Sequence, residues 1–177
     1  MGYGNSTTYK QLGLPNLTGV NSEITELAIN SLGNRDDILI NNNATKESFL
    51  SKISNQTFER IAIATHSVPA NWRGVTSEPA LIFNSKKGDY FLTPSEIINK
   101  NFSTDMLVLS SCNPNVNGFS DIYKSFLVAG SNSVVFSNWN LETKYAKDFT
   151  SKFFKELWVN NKEKHIAMRD VSLKLMN

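Results

Sequence analysis

Three short, unbroken apolar runs constrain this chain more than any other feature: Arg60-Ile61-Ala62-Ile63-Ala64-Thr65, Met106-Leu107-Val108-Leu109-Ser110 and Ser133-Val134-Val135-Phe136-Ser137. A strand with one face in water alternates apolar and polar residues, whereas a run without alternation is buried on both faces. Such strands need helices on both sides, and helical patterns fill the intervals. Ile24, Leu27, Ala28 and Leu32 recur at helical spacing from Ser22 to Leu32, with Glu23 and Glu26 favouring the N-terminal end and Gly33-Asn34 ending the helix. Thr45 caps a second helix that buries Phe49, Leu50 and Ile53. Thr93-Pro94-Ser95-Glu96 is a capping box with proline at its first helical position. A helix from Ser120 through Ile122, Tyr123, Phe126 and Leu127 closes at Gly130, a long one buries Ala146, Phe149, Phe153 and Leu157, and a last one starts near Glu163. Ile38–Ile40 and Ala80–Phe83 are further strands, and residues 1–13, glycine-rich and without a period, read as a loose lead-in. The alternation predicts an α/β three-layer sandwich, a mostly parallel central sheet flanked by helices.

Composition narrows the function. Of 177 residues 40 % are apolar and 19 % charged, with a net charge of +2, which speaks against disorder and against a concentrated basic field for nucleic acid. No apolar run approaches the ~18–20 residues of a membrane span, and Met1 to Lys10 carries no apolar leader. Neither a nucleic-acid nor a membrane partner is expected. Cys112 is the one cysteine, so no internal disulfide or cysteine-cluster zinc site can form, and with only His66 and His165 beside it no metal or cofactor is expected. A lone thiol fits a reducing compartment and predicts a cytoplasmic protein.

His66 and Cys112 both fall just past the C-terminal ends of predicted buried strands, the edge where open α/β sheets bind ligands. On parallel neighbouring strands they would share a crevice, a thiol with an imidazole in reach to handle its proton. Each residue alone has a plainer use, the thiol as a small core hydrophobe and the imidazole as a satisfied polar group. His165, among Lys162, Glu163 and Lys164, reads as solvated.

The flanking residues carry a resemblance. Ile61-Ala62-Ile63-Ala64-Thr65-His66-Ser67 and Leu107-Val108-Leu109-Ser110-Ser111-Cys112-Asn113 are similar to the histidine and cysteine motifs of CHAT-domain proteins, caspase-like cysteine peptidases related to separase and the gingipains. Leu14-Pro15-Asn16-Leu17-Thr18-Gly19 followed by Glu23, Ala80–Phe83 followed by Leu92–Ile97, Phe126–Val135 and Ser137-Asn138-Trp139 resemble other family stretches in the same order. The match runs from about Leu14 to Leu175, so residues 14–177 are identified as a partial CHAT domain, and the 46 residues from His66 to Cys112 are close to the ~50 of caspases. The resemblance implies a caspase-like fold and an endopeptidase acting on a protein or peptide. Cys112 would be the nucleophile and His66 the general acid/base. The backbone N–H groups of Cys112 and Ser67 would hold the oxyanion.

The chain also departs from the family pattern. Ser67 replaces a usual glycine and Ser111 a usual alanine. The acidic position after the "LW" strand falls on Thr143, with Glu142 beside it. Glu142 with Trp139 would then line a pocket for a basic P1 side chain, or Glu142 would serve only as a charge at a helix N-terminus. Trp72, in the loop after the histidine, would wall the peptide groove or simply pack the loop. The family further implies extra strands before Leu14 and one after the last helix, so a regulatory domain or another chain is expected to complete the sheet. The alternative is a non-catalytic CHAT-fold interaction module, with Cys112 unreactive.

Overall fold

The computed structural model describes residues 1–4, 12–30, 37–111, 118–137 and 143–176. Its main sheet has five parallel strands, β1 (Gly2–Gly4), β2 (Ile38–Ile40), β3 (Arg60–Ala64), β7 (Met106–Ser110) and β8 (Val134–Phe136), in the order β2-β1-β3-β7-β8. Between β3 and β7 lie the short antiparallel strands β4 (Ser67–Val68), β5 (Ala80–Ile82) and β6 (Phe91–Leu92), a second sheet in the order β4-β5-β6. The helices are α1 (Val20–Asn30), α2 (Lys46–Asn55), α3 (Pro94–Ile98), α4 (Phe119–Val128), α5 (Thr143–Trp158) and α6 (Lys164–Met176). This is the expected α/β sandwich, with a mostly parallel central sheet and a caspase-like arrangement of helices.

Strand alternation sorts the core into two layers. Tyr3, Ile61, Ile63, Leu107 and Leu109 point to one face and meet Phe49 and Ile53 of α2, Ile97 of α3, and Ile122 and Phe126 of α4. Ala62, Ala64, Met106 and Val108 point to the other and meet Val20, Ile24 and Leu27 of α1, Phe153 and Phe154 of α5, and Ala167 and Val171 of α6. Each fully buried aliphatic or aromatic side chain contributes about 1.5–3 kcal/mol, which is why β3 and β7 carry no polar residue until their ends. The helix starts follow from capping. Thr45 Oγ1 accepts the Ser48 N–H, and at α3 the Thr93 side chain accepts the Glu96 N–H while Glu96 reaches back to the Thr93 N–H. Glu96 also takes an ion pair at 2.7 Å from Lys46, a buried lysine that reaches Asp89 and the Phe91 carbonyl as well and so ties α2 to β6 and α3.

Two expectations need correction. Residues 2–4, within the expected loose lead-in, are a strand, paired on one side with β2 and on the other with β3. Glycines at alternate positions disguise it, yet they are what the packing requires: a Cβ on Gly2 would stand 2.7 Å from Ile24 Cγ2, so their absence lets α1 lie against the sheet. Tyr3 between them is fully buried, with its ring 4.1 Å from that of Phe83 and its hydroxyl donating to the Ala44 carbonyl at 2.9 Å. Next, β8 is the outer strand of the sheet rather than a strand buried on both faces, and all three of its residues are half-buried. Its Phe136 finishes the layer by stacking on Tyr123 at 4.2 Å. Glu23 lies in the first turn of α1, where the sequence places it, and its side chain is buried.

Candidate active site

The connections of the main sheet reverse direction between β1 and β3, and the C-terminal edge at such a reversal is where a doubly wound sheet opens a crevice. β3 and β7 are parallel neighbours, with Arg60 opposite Met106 and Ala64 opposite Ser110, and the Thr65 N–H extends the ladder to the Ser110 carbonyl at 3.2 Å. His66 therefore stands two residues past the end of β3, and sequence position 112 follows two residues past the end of β7, on strands in register. Cys112 itself, with Trp139 and Glu142, lies outside the described residues.

His66 is held from two sides. Its own carbonyl accepts the Ile82 N–H at 2.9 Å, joining it to β5. Its ring Nε2 lies 2.8 Å from the carbonyl oxygen of Pro15, in the segment between β1 and α1. A carbonyl can only accept, so Nε2 carries the proton and Nδ1 the lone pair. Burial disfavours the imidazolium and lowers the pKa of His66 below its ordinary 6.5, while the Pro15 carbonyl pulls weakly the other way. The result is a neutral imidazole of fixed tautomer at neutral pH.

Ser67 is buried at the start of β4, opposite Leu81. Its φ is not positive, so the freedom a glycine would supply at this position is not used. Trp72 lies in the loop beyond, in a 3-10 turn (Trp72–Gly74), its ring set edge-on to Phe91 of β6 at 6.2 Å and covered by the Arg73 guanidinium at 4.5 Å. Ser111, next to position 112, is buried, and its hydroxyl has no hydrogen-bond partner among the described residues.

Two features of the site emerge only from the fold. One is the Pro15 carbonyl, since every residue has one and only the fold brings this one to His66. The other is Glu23, whose carboxyl is raised above its ordinary pKa by burial; Ser110 and Thr150 stand close enough to draw it partly back, but neither closes a well-formed hydrogen bond to it. It lies beneath the end of β7, on the α1 and α5 side. His165 is exposed on α6 beside Glu163. Among the described residues no cluster of three or more histidine, cysteine, aspartate or glutamate side chains is grouped to hold a metal ion, and no helix is long and apolar enough to cross a membrane.

The family model described as the CHAT domain matches residues 2–177. No curated protein matches the chain.

Proposed function

The chain belongs to the CHAT-domain family, and from that premise we propose that it is a cysteine endopeptidase with Cys112 as nucleophile and His66 as general acid/base. The observation that supports this is the parallel pairing of β3 and β7 with Ala64 opposite Ser110, since the two strands end at the same edge and a histidine and a cysteine each follow that rung by two residues in the sequence.

Nδ1 of the neutral His66 takes the thiol proton, and the sulfur attacks the scissile carbonyl carbon. The carbonyl π electrons move onto oxygen, held by the N–H groups of Cys112 and Ser67, donors of a kind worth roughly 3–4 kcal/mol each. The C–N bond breaks as imidazolium returns its proton to the leaving amine. Water, deprotonated by His66, then cleaves the thioester and restores the thiol. Throughout, the Pro15 carbonyl holds Nε2–H and steadies the imidazolium while it exists.

Glu142 supplies negative charge for a Lys or Arg P1 side chain, with Trp139 and Trp72 as apolar walls of the groove. The lone thiol suits a reducing, cytoplasmic setting. A library of fluorogenic peptides varied at P1 tests the proposal on the whole chain. Cleavage favouring Lys or Arg, lost in Cys112→Ala and in His66→Ala with unchanged melting temperatures, is the expected result. A Cys112→Ala protein that still cuts removes the nucleophile, and Glu142→Gln with unaltered P1 preference removes the basic pocket.

A further inference from the structure

The carbonyl that orients His66 sits on a segment held by two further contacts. Residues 12–17 run between β1 and α1, with Leu17 buried in the α1 layer and Leu12 and Leu14 packed at its margin. Three residues before Pro15, the Leu12 carbonyl accepts a hydrogen bond of 2.6 Å from Arg73 Nη1. The turn between the two carbonyls passes through Gly13 at φ 65, where a Cβ would lie 2.8 Å from the same Nη1. Arg73 is seated in turn. Its guanidinium lies over the Trp72 ring, and Trp72 is set against Phe91. The backbone of Arg73 is left-handed at φ 50, as is that of Asn71 at φ 59, a conformation that costs a residue with a side chain about 1–2 kcal/mol and persists only where surrounding contacts hold it.

The segment before α1, which meets His66 through the Pro15 carbonyl, is therefore clasped to the loop after His66 through the Leu12 carbonyl. We propose that Arg73, seated on Trp72, is a positioning residue: it fixes the strap of residues 12–17 so that the Pro15 carbonyl selects the tautomer and orientation of His66. A flexible point charge does not meet this need, because the guanidinium must stack on an indole and donate in the plane of its fork at once. The role rests on the assignment of His66 as acid/base, but the orientation of the ring is observable without any activity.

The test uses nitrogen-15 NMR of the histidine side chains in the whole chain, with His165→Gln to leave one imidazole, alongside peptide-hydrolysis kinetics. The wild type is expected to show one tautomer, protonated at Nε2. Arg73→Met keeps an unbranched apolar side chain at this position but removes the donor. It is expected to mix the tautomers, to move the His66 pKa up toward 6.5 as water reaches the ring, and to lower kcat roughly 10- to 100-fold with little change in KM, the scale on which groups that orient a ligating histidine act. Arg73→Lys is expected to recover part of the tautomer ratio. Gly13→Ala, which presses on the same contact from the strap side, is expected to act in the same direction. Wild-type tautomer and pKa in both Arg73→Met and Gly13→Ala overturn the proposal. So does a raised KM with the tautomer unchanged, which makes Arg73 a substrate contact instead. If cleavage survives His66→Ala while Arg73→Met still mixes the tautomers, the acid/base assignment fails and the clasp stands.

Discussion

Gly4 meets Val20 with no room between them: a Cβ on Gly4 would lie 2.8 Å from Val20 Cγ1 and 3.3 Å from the Val20 carbonyl oxygen. The backbone of β1 lies directly against the Val20 and Ile24 side chains, so the missing Cβ sets the depth of α1 against β1.

Gly4→Val is therefore expected to destabilise the fold by about 1–3 kcal/mol, the usual cost of overpacking a close core. Urea unfolding should show a lower midpoint with an unchanged slope. A midpoint equal to that of the wild type would mean that α1 can retreat freely.

The depressed pKa of His66 fixes the acid limb of catalysis. The neutral ring is the base, and protonation that is disfavoured by burial occurs only below pH 6.5, so kcat/KM should hold down to that pH and fall beneath it. His66→Ala should lose roughly 100- to 10,000-fold in kcat/KM and abolish the limb. A limb centred above pH 6.5 would contradict the burial of the ring.

Glu23 predicts a stability change of the opposite slope. Its folded pKa is raised, so the stability linked to its proton is complete below about pH 4.5 and declines as pH rises through the folded value. Glu23→Gln has nothing to ionise. It should match the wild type near pH 4 and exceed it near pH 8 in denaturant midpoint. A constant difference between the two pH values would show that Glu23 ionises as easily folded as unfolded.

Glu156 behaves in reverse. Lys162, Lys174 and Asn160 bond its carboxylate and lower its pKa to about 2; the group is covered by these polar chains rather than by apolar packing. Its contribution is present above about pH 4.5 and fades as pH falls toward 2. Glu156→Gln should loosen α6 from α5 at pH 7, seen as a lower midpoint, and the gap should close in acid. High salt should narrow it too, since Lys174 is exposed and Lys162 only half-buried.

The parts of this fold legible in the sequence are those where one residue's chemistry decides the outcome. β3 and β7 announce themselves because burial on both faces leaves no polar residue to interrupt them, and α3 because Thr93, Pro94 and Glu96 each satisfy a backbone group at a helix start. β1 does not, because Gly2 and Gly4 serve the packing of Ile24 and Val20 by what they lack. β8 and β7 look alike in sequence, and only the order of strands makes one an edge. His66 was legible as a site candidate from its place after a buried strand. Its orientation was not, since it depends on the main chain of Pro15 and on a cation from a different loop. In the sequence Glu23 is a charge favouring a helix N-terminus; its burial depends on how α5 packs across α1.

β1 has a kinetic consequence. Gly2 pairs with Ile38 on one side and Ala62 on the other, so three residues gain their ladders only after two long excursions of chain have closed. Loop entropy rises slowly with length but must be met before any of those pairs forms, and distant pairings of this kind slow folding. β3 and β7, joined with each other and with α4, can assemble first and wait with one flank of β3 bare. Refolding should then end on the insertion of Tyr3 between β2 and β3, a late and all-or-none step that closes both core layers together.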